Sequence, residues 1–581
     1  MRRTSWVSLR AYLKTPVNRR VRARGLQNSV ANRVFCRPGA LTGRVLRLAL
    51  RIGCVLAAFF GIGGQLWAQG STLPTSSQAT NLVVREFRFT GNSVIPAAEL
   101  SQLVSGYTNR TISFADLEEA RRAVTLYYVT RGYLNSGAVL DDQTVKDGIV
   151  TLRIVEGRLT EIRVLPADNW LRADYVRSRL WQAAGPPLNM PRIEQRLGLL
   201  LDNPNIARIN AELEPGAAPG DAILNVAVTE RSPWRLAVEA RNDRPPSVGG
   251  EILEAFLSHQ NVTGHSDPLE FHTGLIQRDA NKVKASAADN LGVSYRVPLN
   301  SHDTTLRLSY GRNNFAVIEE PFNALDIKSE SESYGLALQH PFYRTASREF
   351  SMTLAADRRR SQSYLLGAPF SFSPGAVNGE TTVSVLRFIH EYVTRTPAQV
   401  LSLRSSLNWG IDVLGATRNG TSRDGEFVSW QGQAQYVRRL GQTANQLILS
   451  TTFQWSDSPL LSLEQFSLGG SGTVRGYREN QLVRDMAWLS SVEFRVPILF
   501  NRAGAGTLQL VPFFDFGKGW NVQVTTPEPR DIASAGIGLL WTPGTHLNAQ
   551  LYWGHAFRNL NAGRYDPQDL GLHFKVRVVA F

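Results

Sequence analysis

Cysteine is nearly absent from this chain of 581 residues. The two that occur, Cys36 and Cys54, both lie within the first 69 residues. A lipid-modified Cys54 is disfavoured, because Arg51 and Ile52 stand where an apolar run should end. The chain from residue 70 onward therefore has no disulfide bond, which fits an exported protein that needs none.

Motifs of the common enzyme classes are also missing. No P-loop pattern occurs, so no ATP-binding site is predicted. The segment GGSGT at 469–473 has a threonine where the G-x-S-x-G nucleophile elbow needs its last glycine. His390 and Glu391 are not followed by a second histidine at the spacing of zinc metalloproteases. The sequence therefore predicts a protein that is not an enzyme and that uses no cofactor or metal ion.

Acidic residues are absent from residues 1–69, which contain thirteen arginines and lysines. These account for nearly all of the net charge of +14 and leave about +1 for the rest of the chain. A nucleic-acid-binding protein carries its positive charge as a patch on the folded domain. The overall basicity therefore indicates no nucleic-acid partner.

Residues 1–69 have the layout of a signal peptide. Three arginines precede an apolar run at 52–62 that is too short to span a bilayer as a helix. Cleavage is predicted near Ala68 or Gln69, and a polar linker follows at 70–82. The basic stretch is unusually long, either as an extended signal region or because the start codon is placed too early.

Two small modules in tandem are predicted at 83–165 and 166–231, each with the order β-α-α-β-β. Ser113 precedes a helical pattern, and Asp116 lies where a capping box places its acidic residue. A small sheet with an exposed edge can bind an extended polypeptide as an added strand. A plain spacer module is the alternative that this pattern leaves open.

From residue 232 to residue 581 the pattern changes to short strands in which apolar and polar residues alternate. In residues 234–241, for example, apolar side chains alternate with Arg235, Glu239 and Arg241. The predicted strands start near residues 233, 251, 268, 288, 304, 329, 348, 381, 399, 425, 445, 487, 506, 533, 546 and 569.

Short turns and long loops alternate between these strands, which is typical of outer-membrane barrels with short periplasmic turns. The predicted number of strands, sixteen, is even, as closed bacterial barrels require. We therefore predict a closed antiparallel transmembrane β-barrel, because a soluble β-sandwich explains this loop asymmetry less well. The last strand alternates too and ends on Phe581, like the closing strand of outer-membrane proteins, although any amphipathic edge strand would share this pattern.

The longest of these loops contains the segment LGGSGTVRGYREN at 468–480. Its clustered glycines permit tight backbone turns, and Arg475 presents five hydrogen-bond donors. About forty residues later, Asp515 lies in a run of aromatic residues. One hypothesis is that the loop folds into the barrel and Arg475 pairs with Asp515; the alternative is a hairpin tip with a solvent-facing arginine.

The segments FTGN, LYYVTRGYLNS and VTLRIVEGRLTEI in the first module resemble a polypeptide-transport-associated (POTRA) domain. Together with the barrel pattern, they make the chain similar to the outer-membrane transporters of two-partner secretion. This is the haemolysin/haemagglutinin secretion/activation family of the Omp85-like superfamily. The resemblance implies α+β periplasmic repeats, two POTRA domains, followed by an all-β transmembrane barrel of sixteen strands. It also implies that a loop at 461–486 folds inward.

The resemblance also assigns residues within that loop and the wall. In the family the inward loop carries a V-R-G-Y motif, which here is Val474, Arg475, Gly476 and Tyr477. The partner motif F-x-D-x-G lies on the thirteenth strand and matches Phe513, Asp515 and Gly517. A lumenal salt bridge between Arg475 and Asp515 is therefore implied. Some members have an N-terminal plug helix, but residues 70–81 are too short and too polar to form one, so either this protein has no such plug or part of the leader survives.

The function that the resemblance implies is secretion through the outer membrane of a Gram-negative bacterium. An unfolded partner protein, such as an adhesin, haemolysin or toxin, would bind the N-terminal domains in the periplasm. It would cross the barrel and fold outside, and that folding would supply direction. The other expected partners are outer-membrane lipids and the barrel-assembly machinery, the latter through Phe581. An insertase of the same superfamily and a passive porin are the alternatives; the two N-terminal modules favour secretion.

Overall fold

The structure, a computed structural model, describes residues 82–166, 170–279, 282–285, 289–420, 423–441, 443–500, 506–560 and 566–581. The predicted signal peptide at 1–69 lies outside the described residues, and so does all but the last residue of the predicted linker at 70–82. The prediction that residues 70–81 form no plug helix lies outside them as well.

The first N-terminal module has a three-stranded sheet of order β2-β5-β4, a separate two-stranded sheet β1-β3, and two helices. Its strands are β1 Leu82–Val84, β2 Glu86–Thr90, β3 Arg110–Ile112, β4 Gly137–Val139 and β5 Ile149–Val155, and its helices are α1 Ala97–Leu103 and α2 Phe114–Thr130. The central strand β5 pairs in parallel with β2 and antiparallel with β4. Helix α2 begins with the predicted capping box between Ser113 and Asp116. The apolar residues that alternate along β2 and β5 pack against the helices, as the sequence pattern requires.

The second module repeats this arrangement with longer strands. It consists of β6 Arg158–Pro166, α3 Ala173–Trp181, α4 Met190–Leu201, β7 Ile206–Pro215 and β8 Asp221–Glu230. Its sheet has the order β6-β8-β7. Because β6 pairs with β8, it belongs to the second sheet, whereas the predicted boundary at 165/166 assigns it to the first module. We therefore propose a boundary at Gly157 instead.

The remainder of the chain forms a closed antiparallel barrel. Its strands are β9 Trp234–Arg241, β10 Ile252–His259, β11 Leu269–Asp279, β12 Lys282–Ala285, β13 Asn290–Pro298, β14 Thr305–Ala316, β15 Lys328–Arg344, β16 Arg348–Leu365, β17 Ala368–Pro369, β18 Glu380–Arg395, β19 Gln399–Gly410, β20 Phe427–Arg439, β21 Gln446–Ser456, β24 Met486–Phe500, β25 Thr507–Trp520, β26 Asp531–Thr542, β27 Leu547–Ala556 and β28 Leu572–Val579. The strands β22 Phe466–Leu468 and β23 Leu482–Arg484 form a separate hairpin inside the loop between β21 and β24.

The wall itself has sixteen strands, because β12 and β17 only extend the hairpins β11–β13 and β16–β18. The predicted number is confirmed, and each strand starts within three residues of its predicted position. Strand β28 closes the barrel on β9, with Lys575 opposite Arg241 and Val579 opposite Ala237. Short 3-10 helices lie at Ser105–Tyr107, Pro246–Val248, Phe322–Leu325 and Pro567–Leu570.

Apolar and polar side chains alternate across the barrel wall. Phe514 is exposed on the outside of β25, whereas its neighbours Phe513 and Asp515 are buried on the inside. The same alternation on β27 places Leu551 and Trp553 outside. This pattern suits a wall with lipid outside and a polar lumen inside. Within the described ranges, no helix has the length and apolar character needed to cross a membrane.

The second module is docked on the turns at one end of the barrel. Arg179 donates to Asp303 in the turn between β13 and β14, with 2.7 Å between Nη2 and Oδ1. The backbone N–H of Arg172 donates to the carbonyl of Gly264, in the turn between β10 and β11, at 2.9 Å. The loop with the hairpin β22–β23 connects strands at the opposite end of the barrel.

Candidate functional site

The loop between β21 and β24 folds into the barrel and packs against its inner wall. Leu468, Val474 and Tyr477 of the loop are buried in one apolar cluster with Ala487 on β24 and Ile532 on β26. The predicted inward loop at 461–486 lies within this connection. Its apolar side chains thus face the wall, and its polar groups contact the charged residues of the lumen.

Arg475 forms the central polar contact of the loop. Its Nε lies 2.7 Å from Asp515 Oδ2 and its Nη2 lies 2.6 Å from Asp515 Oδ1, a bidentate pair. The backbone N–H of Arg475 also donates to Asp515 Oδ2, at 3.1 Å. Arg475 is 5% exposed and Asp515 is fully buried. The structure thus brings together the two residues that the sequence motifs pair, on the thirteenth strand of the wall.

Two further residues of β24 complete this site. Glu493 accepts a hydrogen bond from Arg475 Nη1 at 2.7 Å. Ser491 donates to Asp515 Oδ1 at 2.6 Å and accepts from Arg475 Nη2 at 3.1 Å. Arg495 pairs with the other oxygen of Glu493 at 2.7 Å. The buried charges are therefore compensated as a group, which a buried ion pair needs in order to be stable.

Aromatic rings enclose the guanidinium group of Arg475. Its Cζ lies 3.7 Å from the ring centre of Phe513 and 4.9 Å from that of Tyr552 on β27. The faces of aromatic rings attract a cation and exclude water from it. Phe513, the first residue of the F-x-D-x-G motif, therefore has a direct contact with the arginine of the V-R-G-Y motif.

The glycines of both motifs allow the loop to approach the wall closely. Gly476 has φ +92°, and a Cβ there would lie 2.7 Å from the carbonyl oxygen of Gly554 on β27. A Cβ on Gly517 would lie 2.9 Å from the Val474 side chain. Only glycine fits such a backbone conformation and such contacts without a shift of the neighbours.

Tyr477 and the backbone of Gly476 bind the last strands of the barrel. The Tyr477 hydroxyl donates to the carbonyl of Ala533 at 3.0 Å and accepts from the N–H of Arg558 at 3.1 Å. The N–H of Gly476 donates to Nε2 of His573, a buried residue of β28, at 3.2 Å. All four residues of the V-R-G-Y motif therefore contact the wall or the loops that join its strands.

Three other charged residues of the loop form ion pairs that sequence analysis did not predict. Glu464 accepts from Arg359 on β16 at 2.6 Å and from Arg387 on β18 at 2.8 Å. These are the seventh and eighth strands of the wall, whereas β24 and β25 are the twelfth and thirteenth, so Glu464 binds a different part of the wall from Arg475. Glu464 does not lie in a recognisable sequence motif, so its role is evident only from its contacts in the structure.

Arg478 and Asp485 are the other two loop residues that form ion pairs with residues outside the loop. Arg478 Nη2 lies 2.9 Å from Asp569 Oδ2, and its Nη1 lies 2.7 Å from Glu319 Oε1. Arg423, between β19 and β20, donates to Asp485 Oδ1 at 2.8 Å. The position of Arg478 directly after the V-R-G-Y motif is a signal that sequence analysis could have used.

The predicted assembly residue Phe581 lies two residues beyond the end of β28 and is exposed. Its role in assembly stays a prediction. Within the described part of the chain, no group of histidine, cysteine, aspartate and glutamate side chains is arranged to hold a metal ion.

Two known protein families match parts of this chain. Residues 220–540 match the haemolysin secretion/activation protein family ShlB/FhaC/HecB, and residues 82–157 match the ShlB-type POTRA domain. The chain belongs to the ShlB/FhaC/HecB family. It is therefore an outer-membrane transporter of two-partner secretion, with its N-terminal modules in the periplasm.

Curated relatives are similar over most of their length. The outer membrane transporter CdiB of Dickeya dadantii is 25% identical over 435 residues, 73% of this chain and 75% of the relative. The hemolysin transporter protein ShlB of Serratia marcescens is 24% identical over 466 residues, 77% of this chain and 78% of the relative.

Solved structures show the same fold. CdiB from Escherichia coli superposes with a TM-score of 0.65 at 20% identity, covering 93% of this chain and 99% of that one. BamA from Haemophilus ducreyi, lacking POTRA domains 1–3, superposes with a TM-score of 0.50 at 12% identity, covering 86% of this chain and all of that one. The predicted resemblance and fold class are confirmed.

Proposed function

We propose that this transporter moves an unfolded exported protein through its lumen, and that the inward loop at 461–486 must yield or shift to make room for it. The bidentate contact between Arg475 and Asp515 carries this proposal. It is a polar, directional contact that can form and break without unfolding the barrel, because the strand pairing of the wall does not depend on it.

The distribution of the loop contacts supports the proposal. Arg475 is bound to β24 and β25, Glu464 to β16 and β18, and Arg478 to Asp569 next to β28. A loop bound to several sides of the lumen narrows the path for a polypeptide. A passing chain must displace the loop or share the lumen with it.

The N-terminal modules are proposed to receive the client. Strands β6 and β7 are the edges of the second sheet, and β2 and β4 are the edges of the first. A sheet edge binds an extended chain through backbone hydrogen bonds and so selects little for sequence. The client would thus be held in an extended state before it enters the barrel. The boundaries of the two POTRA domains are part of this proposal.

The client class follows from the family. A large secreted protein, such as an adhesin, haemolysin or toxin, is the partner of a two-partner transporter. Folding of the client outside the cell would supply direction, since no ATP-binding motif occurs in the sequence. We propose no catalytic role for any residue, because the contacts of the V-R-G-Y and F-x-D-x-G motifs are all with the transporter's own wall and loops.

A defined deletion tests the function. The proteins released into the medium would be compared between wild-type cells, cells lacking this chain, and deleted cells complemented with it. We expect one large exported protein to disappear and to return on complementation, while the other outer-membrane proteins stay at wild-type level. Broad depletion of outer-membrane proteins would instead identify an insertase, and an unchanged medium would contradict the secretion function.

A further inference from the structure

Trp170, at the start of the second module, is fixed against the periplasmic end of the barrel. Its carbonyl accepts a hydrogen bond from the side chain of Asn261 in the turn between β10 and β11. The next residue, Leu171, is buried, and its N–H donates to Glu230 Oε2 at 3.0 Å. Arg172 is bound to the carbonyl of Gly264. Trp170 is therefore fixed to the barrel through its own carbonyl and through Arg172, and to the second module through Leu171.

The Trp170 indole lies against the outer face of the wall. Its ring centre is 6.5 Å from that of His259, which lies 4.6 Å from that of Trp234. Trp234 and His259 are opposite one another on β9 and β10. His259 has the same strand parity as Leu257, which is exposed on the lipid side. Trp170, which is 44% exposed, thus continues the aromatic surface of the barrel onto the second module.

Trp181 is a second exposed tryptophan of the second module that lies beside the barrel. It is the last residue of α3 and is 48% exposed. The next residue, Gln182, donates to the carbonyl of Ser301 at 2.6 Å, which fixes this helix end to the turn between β13 and β14. Leu299, the first residue of that turn, is exposed as well. The indole ring of Trp181 therefore lies beside the periplasmic rim of the barrel wall.

Tryptophan in such a position has a preferred environment. Its indole combines an apolar ring with a polar N–H, and it concentrates at the interface between lipid and water. The barrel wall that these two residues adjoin is lipid-facing, so the same bilayer reaches them at the level of the headgroups. Large exposed aromatic rings at this level are stabilised by lipid rather than by water.

We propose that the second module is bound to the periplasmic leaflet of the outer membrane through Trp170 and Trp181, with phospholipid as the partner. The module then has three attachments: its contacts with the β10–β11 turn, its contacts with the β13–β14 turn, and the membrane surface. This would hold the sheet β6-β8-β7 at a fixed angle to the bilayer. The proposal does not depend on which protein is secreted.

Site-specific fluorescence tests the proposal in the full chain. Residues 70–581 contain no cysteine, so a single introduced cysteine can be labelled selectively with an environment-sensitive fluorophore once Cys36 and Cys54 are absent or replaced by serine. The label would be placed at Trp170→Cys and at Trp181→Cys. Leu257→Cys, on the lipid-facing wall, is the positive control. Phe114→Cys, exposed at the start of α2 in the first module, is the negative control.

The labelled protein would be reconstituted in vesicles of phosphatidylethanolamine and phosphatidylglycerol, with and without headgroup-proximal spin-labelled lipid as quencher. We expect the quencher to lower the emission at 170 and 181 several-fold more than at 114, and a deeper quencher to act most strongly at 257. Ser178→Cys, exposed about one turn before Trp181 on α3, replaces the 181 site if the tryptophan substitution there prevents assembly. Quenching at the test sites no stronger than at 114 would overturn the proposal.

Discussion

The inward loop and the N-terminal modules are held in place by different kinds of interaction. Each module has a core of buried apolar side chains between a small sheet and two helices. The loop shares two small apolar clusters with the wall, one around Val474 and Tyr477 and one around Leu460 and Leu461, and several ion pairs connect it to the wall. The modules thus depend on buried area, whereas the loop depends on specific partners.

This difference matters for a part that has to move. Apolar burial is non-directional, and a core that opens exposes apolar surface to water. An ion pair that is desolvated and fully compensated adds little net stability, yet removal of one partner costs about 3–5 kcal/mol. The loop can therefore be specifically placed without being held irreversibly. Single substitutions in the loop and in the modules distinguish the two kinds of interaction, and the largest effect is expected in the loop.

Arg475→Ala should have the largest effect. It leaves Asp515 buried without its bidentate partner and should weaken attachment of the loop by about 3–5 kcal/mol. We expect secretion to be lost while the barrel still assembles. The measurement is the amount of secreted client at equal surface level of transporter.

Arg418→Ala is the matched control, because Arg418 is an exposed arginine in an outer loop that pairs with the exposed carboxylate of Asp412. Exposed pairs contribute about 0–1 kcal/mol, so secretion should stay at wild-type level. Wild-type secretion by the Arg475 variant would rule out a role for the contact.

Leu224→Ala should destabilise the second module and leave the loop unaffected. Leu224 is buried on β8 in the module core, and truncation of a buried leucine costs about 2–5 kcal/mol. Limited proteolysis of the full chain on heating should show earlier cleavage within 158–231. The control variant Leu165→Ala, at an exposed leucine of β6, should be cleaved at the same temperature as the wild type. Equal behaviour of the two variants would contradict the assigned core.

Glu464→Gln should loosen one side of the loop only. The neutral amide keeps the shape but removes the charge that Arg359 and Arg387 share, a loss of about 1.5–3 kcal/mol. Hydrogen exchange of the loop amides near 464 should accelerate at least tenfold. Exchange should stay unchanged in Glu426→Gln, whose carboxylate is exposed and pairs with Arg418. Wild-type exchange rates of these amides in the Glu464 variant would show that the contacts of Glu464 with Arg359 and Arg387 do not hold the loop.

Ser113→Ala should have the smallest effect. It removes the cap of α2, in which the Ser113 hydroxyl accepts from the N–H of Asp116 at 3.2 Å, at a cost of about 1 kcal/mol. Amide exchange in the first turn of α2 should accelerate about fivefold, and Ser113→Thr should restore protection. An alanine variant with wild-type exchange would show that the cap does not stabilise this turn.

The same cap should respond to pH. Hydrogen bonds from the backbone and side chain of Ser113 lower the pKa of Asp116. The stabilisation is therefore present above the unfolded-state pKa of Asp116 and is lost as the pH falls through the lowered value.

The fold was predictable from the sequence because its periodicities are strong. Alternation along each strand located the wall, and the glycine, proline and polar turns separated its strands. The proposed boundary at Gly157 differs from the predicted one because β6 follows β5 after only two residues, and the sequence pattern does not show which sheet a strand joins. Pairing with β8, far along the chain, decides that question.

The candidate site was predictable only in part. Arg475 and Asp515 stand in recognisable motifs, so the resemblance could pair them. Glu493, His573 and Glu464 are single polar residues in ordinary strand or loop sequence, and nothing local distinguishes them. Their roles depend on contacts between residues 18 to 97 positions apart along the chain.

The route of the client is the central claim, and crosslinking tests it most directly. A photoreactive residue would replace Gln433, whose side chain lies on the lumenal face of β20, or Leu449, which is exposed on the lipid face of β21. The client would be stalled by a fused domain that folds before export. We predict that the stalled client crosslinks at 433 and not at 449. Crosslinks at neither position, or at 449 alone, would contradict passage through the lumen.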